Sequence, residues 1–144
     1  MGIHSIGCKE IMPPQDTRDR TADHVYKCSR GAYPELIEDL ILTGYHALLV
    51  PALKYEEREE MERLYGKMYN TDGLYRLPVC ADKRSEIYRS KKKMTIYNFA
   101  LESEDIYRNY GIYANGLLVE NCSINYLNNR SQMTNQYDCK GEPL

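Results

Sequence analysis

Apolar residues recur with a helical period in two stretches and with a strand period in several others, and the order of these stretches sets the expected architecture. Leu36, Ile37, Leu40 and Ile41 make one face of a helix that Pro34 opens and Gly44 closes with a left-handed residue, and Glu35 and Glu38 sit at the positive end of its dipole. Residues 45–50 are short, almost uniformly apolar and stopped by Pro51, which predicts a strand covered on both faces. Over residues 53–69, Met61, Leu64, Tyr65 and Met68 return at helical spacing while glutamates and cations cover the other side. A polar turn at 70–73 leads into a strand over 74–80, in which Tyr75, Leu77 and Val79 share a face and Pro78 points to an edge or an end. Strand, long helix, strand predicts a βαβ unit with parallel strands.

The flanks carry weaker patterns. Short strands are expected at residues 3–8 and 24–28, joined by an exposed connection around Pro13 and Pro14. Residues 83–93 suit a loop or a short helix, 94–101 alternate as a strand should, and Ser103 caps one or two helical turns. Asn115 followed by Gly116, with apolar residues on both sides, is the clearest hairpin signal. Beyond Leu127 the composition is polar. The expected protein is one small α/β or α+β domain over residues 1–127, with a polar C-terminal tail over 128–144. Its sheet is mixed, with one βαβ unit and an antiparallel hairpin, and its helices pack on that sheet.

Charge changes this picture at one place. The net charge is −2, yet residues 83–93 hold Lys83, Arg84, Arg89, Lys91, Lys92 and Lys93 against Glu86, a local +5 on a body of −7. That contrast argues against wholesale coating of nucleic acid or membrane and leaves a local contact for phosphate. Arg84 and Arg89 can fork onto phosphate oxygens, the lysines act as point charges, and Tyr88 and Tyr97 are available to stack on a base. The fourteen tyrosines, against one phenylalanine and no tryptophan, suit half-buried positions and interfaces.

Other chemistry is thin. His4 with Cys8 and His24 with Cys28 repeat one spacing and supply the donor set of a zinc site, but the spacing is not one that short ligand pairs favour, and no metal or cofactor is assigned. No phosphate-loop, dinucleotide, zinc-protease or serine-hydrolase motif is present. His46 and Cys80 are the residues an unrecognised enzyme would use, Cys80 because Lys83 and Arg84 follow it and cations lower a thiol's pKa, but the expected readings are a hydrogen-bonded histidine on a buried strand and an inert cysteine at a strand end. Five cysteines with no paired motif, no secretory leader and no apolar run of membrane-spanning length point to reduced thiols in the cytoplasm. The expectation is a non-catalytic binding protein for a nucleotide or short nucleic acid through Lys83, Arg84, Tyr88, Arg89, Lys91, Lys92, Lys93 and Tyr97. The alternative is an adaptor or inhibitor, of the small kind that mobile elements encode, acting on a protein partner through a tyrosine-rich surface, with a homo-oligomer as one form of it.

Overall fold

The computed structural model describes residues 2–137. In chain order its elements are β1 (Ile3–Ile11), β2 (Val25–Cys28), β3 (Leu40–Thr43), β4 (Ala47–Val50), α1 (Tyr55–Tyr65), β5 (Asn70–Thr71), β6 (Leu74–Pro78), a 3-10 turn (Val79–Ala81), β7 (Glu86–Ile87), β8 (Met94–Leu101), β9 (Tyr110–Ala114), β10 (Leu117–Asn121), α2 (Ile124–Asn129) and β11 (Thr134–Tyr137). Strand accounts for 37% and helix for 15%, so the protein is mostly antiparallel sheet and the α/β or α+β expectation is overturned.

Two parts of that expectation fail for identifiable reasons. The βαβ unit does not form, because β4 and β6 pair antiparallel with Val50 opposite Tyr75 and Ala47 opposite Pro78. The helix between them stops early: Gly66 takes a left-handed φ of 74° as its C-cap, and the chain then turns back through the β5–β6 hairpin, re-entering beside the end of β4 it had left. The helix expected over 34–43 is replaced by turns and by β3. Cross-strand pairing of Val25 to Cys28 with Thr43 to Leu40 wins over a helical period only four apolar residues long. Leu42 is buried and Ile41 exposed, the alternation of a strand, while Ile37 stands 70% exposed. Gly44 is not left-handed. It lies where any Cβ would fall inside the Ala22 carbonyl, so close backbone approach, not φ, demands glycine there.

The described chain forms two compact units. The larger comprises Pro13–Lys91 and Gly111–Glu120. It holds a five-stranded sheet in the order β5-β6-β4-β10-β9 and a three-stranded sheet in the order β3-β2-β7. The five-stranded sheet curls into a half-barrel, and the Gly111 amide of β9 reaches Asp72 Oδ2 beside β5 at 2.9 Å. At the predicted hairpin Asn115 and Gly116 both have positive φ, and the Asn115 carbonyl accepts from the Ile37 amide. The core includes Tyr26, Tyr33, Leu48, Met61, Leu77, Val79 and Val119. Met61 is the one fully buried residue of α1, so the helix contributes a narrow stripe and presents its charged face to solvent.

The smaller unit is built on the sheet β11-β1-β8, with α2 packed against it. Ser123 caps α2 by accepting from the Tyr126 amide, and Ile124 and Leu127 join Ala100 and Cys122 in a small core. Gly7 leaves room on β1 for Leu127 and Met133. Of the residues expected as a tail, 128–137 supply the end of α2 and β11, which pairs with β1; residues 138–144 lie outside the described part. On β8, an edge strand, the Phe99 amide donates to Asn98 Oδ1 and its carbonyl accepts from Asn121 Nδ2. Among the described residues no helix is long and apolar enough to cross a membrane.

Gly44→Ala is expected to destabilise the larger unit by about 2–4 kcal/mol, because backbone must move to admit the methyl group. Gly31→Ala, where nothing lies within 4 Å, stays within about 0.5 kcal/mol. Urea unfolding midpoints of the two variants give the comparison, and equal midpoints would refute the close-approach reading of Gly44.

Candidate functional site

A tight chain reversal leaves carbonyls pointing together, and they need donors. At residues 79–85 one guanidinium supplies them. Arg20 donates to the carbonyls of Ser85 (2.6 Å), Asp82 (2.8 Å) and Cys80 (3.2 Å) and to Ser85 Oγ (2.8 Å), and it lies 4.9 Å from the centre of the Tyr26 ring. Ser85 Oγ donates in turn to Val79 and Asp82, and Tyr26 OH to Thr21. Burial pushes the Tyr26 hydroxyl up to about 12, so it remains a donor throughout the physiological range. Nothing in the sequence marked Arg20, which lies in a stretch with no period and meets residues some sixty positions away.

This knot fixes the start of the basic segment. Arg84 is still reached by solvent but already has partners: it pairs with Asp82 at 3.0 Å and lies 4.2 Å from the Tyr33 ring centre. The Tyr33 hydroxyl is fully buried without a well-formed hydrogen bond, and burial first, then the nearby Asp82 carboxylate, drives its pKa upward. Lys83 and Arg84 line a cavity of about 630 Å³ together with Arg20, Cys80 and the charged face of α1, where Lys54, Arg63 and four glutamates meet. Glu60 is held by Arg63 and Glu57 by the Lys54 amide, so these carboxylates are largely spent on local partners. The Cys80 thiol is buried just past the end of β6, as an inert cysteine there would be. Burial raises its pKa, and the opposing cations are Arg20 and Arg63, not Lys83 and Arg84, so the thiol stays protonated.

The rest of the segment is divided. Arg89 and Lys91 line a second, smaller hollow of about 220 Å³ with Ser90, Pro14, Gln15 and Thr17. Arg89 Nε donates to Thr17 Oγ1 at 3.2 Å, and Gln15 Nε2 to the Ser90 carbonyl at 3.1 Å. Tyr88 is partly buried, its amide held by the Val25 carbonyl. Lys92, Lys93 and Tyr97 fall in the smaller unit, where Tyr97 stands 71% exposed on β8. Of the predicted ligand residues in the larger unit, Lys83 and Arg84 line the first cavity, and Arg89 and Lys91 line the second. Gln15 and Thr17, which sequence reasoning passed over, belong with the latter pair.

The zinc pattern is divided in the same way. His4 and Cys8 lie on β1 of the smaller unit, and His24 and Cys28 lie in the larger, where His24 is buried. Among the described residues no three His, Cys, Asp or Glu side chains are gathered as a metal would require, and Cys139 is outside them. His46 precedes β4 and donates through Nε2 to the Glu120 carbonyl at 2.8 Å. Desolvation lowers its pKa, with the Glu120 carboxylate acting the other way. No family model matches the chain, and neither does any curated protein or solved structure.

Two outcomes follow from this geometry. Arg20→Ala should cost about 2 kcal/mol in urea unfolding, with Arg20→Lys recovering only part, since an ammonium lacks the planar fork. His46 is neutral when folded, whereas the unfolded chain takes up a proton below its ordinary pKa of 6.5. Stability should therefore fall as pH drops through about 6.5. His46→Gln is expected to flatten that part of the profile in thermal melts between about pH 7.5 and 5.5; an unchanged slope would assign it to other groups.

Proposed function

We propose that the protein is a non-catalytic binding protein for a phosphate-bearing ligand, a nucleotide or short nucleic acid, and that the Arg89–Lys91 hollow is its anion contact. One observation carries this reading: the hollow is lined by two cations, Arg89 and Lys91, and by no acidic residue. The larger cavity mixes acids and bases, and its carboxylates would oppose a phosphate. Arg89 uses Nε on Thr17, which leaves the two Nη amines of the fork for an oxyanion. About 220 Å³ admits a phosphate group but not a whole nucleotide, so the sugar and base would lie outside it. The proposed contact leaves out Arg84, which pairs with Asp82, and Lys83, which lines the other cavity.

A reduced, cytoplasmic setting agrees with this reading, since Cys8, Cys28 and Cys80 carry free thiols.

The test is fluorescence anisotropy with a short labelled oligothymidylate and with a labelled adenosine nucleotide, between about 50 and 200 mM salt. Binding should weaken steeply with salt. Replacing Arg89 and Lys91 together by Ala should reduce the log–log slope by about one unit per cation removed and weaken binding at every salt concentration. Retention of both slope and affinity in that variant would overturn the assignment of the hollow.

A further inference from the structure

Three tyrosines of the larger unit meet on one face. The Tyr45 and Tyr65 ring centres are 6.0 Å apart and tilted by 42°, and Tyr65 meets Tyr69 edge-on at 5.7 Å and 84°. Tyr65 is partly buried and packs against the hydrophobic core, while Tyr45 is 55% and Tyr69 37% exposed, so a rigid aromatic surface is anchored from below and open above. Two cations stand beside it. Lys67 Nζ is 4.9 Å and the Arg76 guanidinium carbon 5.8 Å from the centre of the Tyr69 ring. Arg76 Nε is tied to Thr71 Oγ1 at 2.6 Å, which fixes the guanidinium in place. Neither Lys67 nor Arg76 makes an ion pair among the described residues, although acids outnumber bases in this chain by 21 to 19.

We propose that the Tyr45–Tyr65–Tyr69 face, with Lys67 and Arg76 at its side, docks an acidic, extended segment of a protein partner. This surface is separate from the Arg89–Lys91 hollow and does not depend on it. Held tyrosines and a preorganised arginine are the residue types that carry binding energy at protein interfaces, because little rotamer freedom is lost when they are covered. Lys67 and Arg76 select the partner's charge at the Tyr69 end of the face, where carboxylates beside apolar side chains complement them, while the Glu120 carboxylate acts at Tyr65.

Two other occupants fit less well. A single-stranded nucleic acid wants open ring faces on which successive bases stack, and here the rings meet edge-on or tilted while Tyr69 already carries two cations. A second copy docked through the same patch about a two-fold axis would bring Lys67 and Arg76 of both chains together.

The probe is a fluorescein-labelled peptide of alternating glutamate and leucine, compared with one in which every glutamate is lysine, titrated against the full chain by anisotropy. Binding of the acidic peptide alone is expected. It should weaken at least about tenfold in Lys67→Glu combined with Arg76→Gln, and in Tyr69→Ala. Lys67→Glu alone alters only an exposed side chain after the helix has ended, so its weakening of the complex is independent of folding. The Arg89→Ala, Lys91→Ala double variant should bind the peptide as the parent does. No binding of the acidic peptide, equal binding of the basic one, or affinity indifferent to Lys67→Glu would overturn the proposal. Displacement of the peptide by oligothymidylate in both the parent and the Arg89→Ala, Lys91→Ala variant would reassign the face to nucleic acid.

Discussion

The carbonyl groups of residues 79–85 converge because the chain leaves β6 through a 3-10 turn and doubles back into β7, and convergent carbonyls repel one another unless a cation or several amides stand between them. Arg20 meets that demand with one planar fork, and much of the larger unit follows from it. The fork ties an otherwise irregular N-terminal stretch to the end of the five-stranded sheet and forms part of a cavity wall. It also fixes where the basic segment begins. Asp82, buried at 3% exposure, is then available to hold Arg84, which in turn covers Tyr33. This row of polar contacts gives Arg20 and Arg84 internal partners.

The legible parts of this protein were those governed by neighbours in sequence. α1 was readable because Met61, Leu64 and Tyr65 repeat at its own period, and the Asn115-Gly116 hairpin because positive φ at two successive positions needs those residues. β8 was readable from the alternation of residues 94–101 about a strand axis. What failed were choices that distant partners make. Whether residues 34–43 coil or extend depends on β2 being there to pair with, and whether β6 runs parallel or antiparallel to β4 depends on where Gly66 ends the helix. In each case the sequence pattern was compatible with two answers and a tertiary contact selected one.

The candidate site shows the same division. A run of six cations in eleven residues looks like one feature on the page, but its members have different partners in space. Arg84 is drawn to Asp82 by a local Asx-type geometry that was visible in principle, since the acid lies two residues earlier. Gln15 and Thr17 could not have been found, because their meeting with Arg89 and Ser90 joins positions more than seventy residues apart. The tyrosine surplus is plain in the sequence, yet only burial and ring geometry separate core members such as Tyr26 and Tyr33 from the ladder that reaches solvent at Tyr45 and Tyr69.

An eight-residue strand at the border of a sheet is ordinarily a template on which further chains can assemble, and β8 occupies that position. At Phe99 both main-chain groups are already engaged by carboxamide side chains, one from Asn98 beside it and one from Asn121. A strand arriving from another molecule would find its ladder interrupted there and would have to break two internal bonds to continue. Two carboxamides thus interrupt the border that a further strand would need, which is a consequence for association between chains more than for the stability of any single fold.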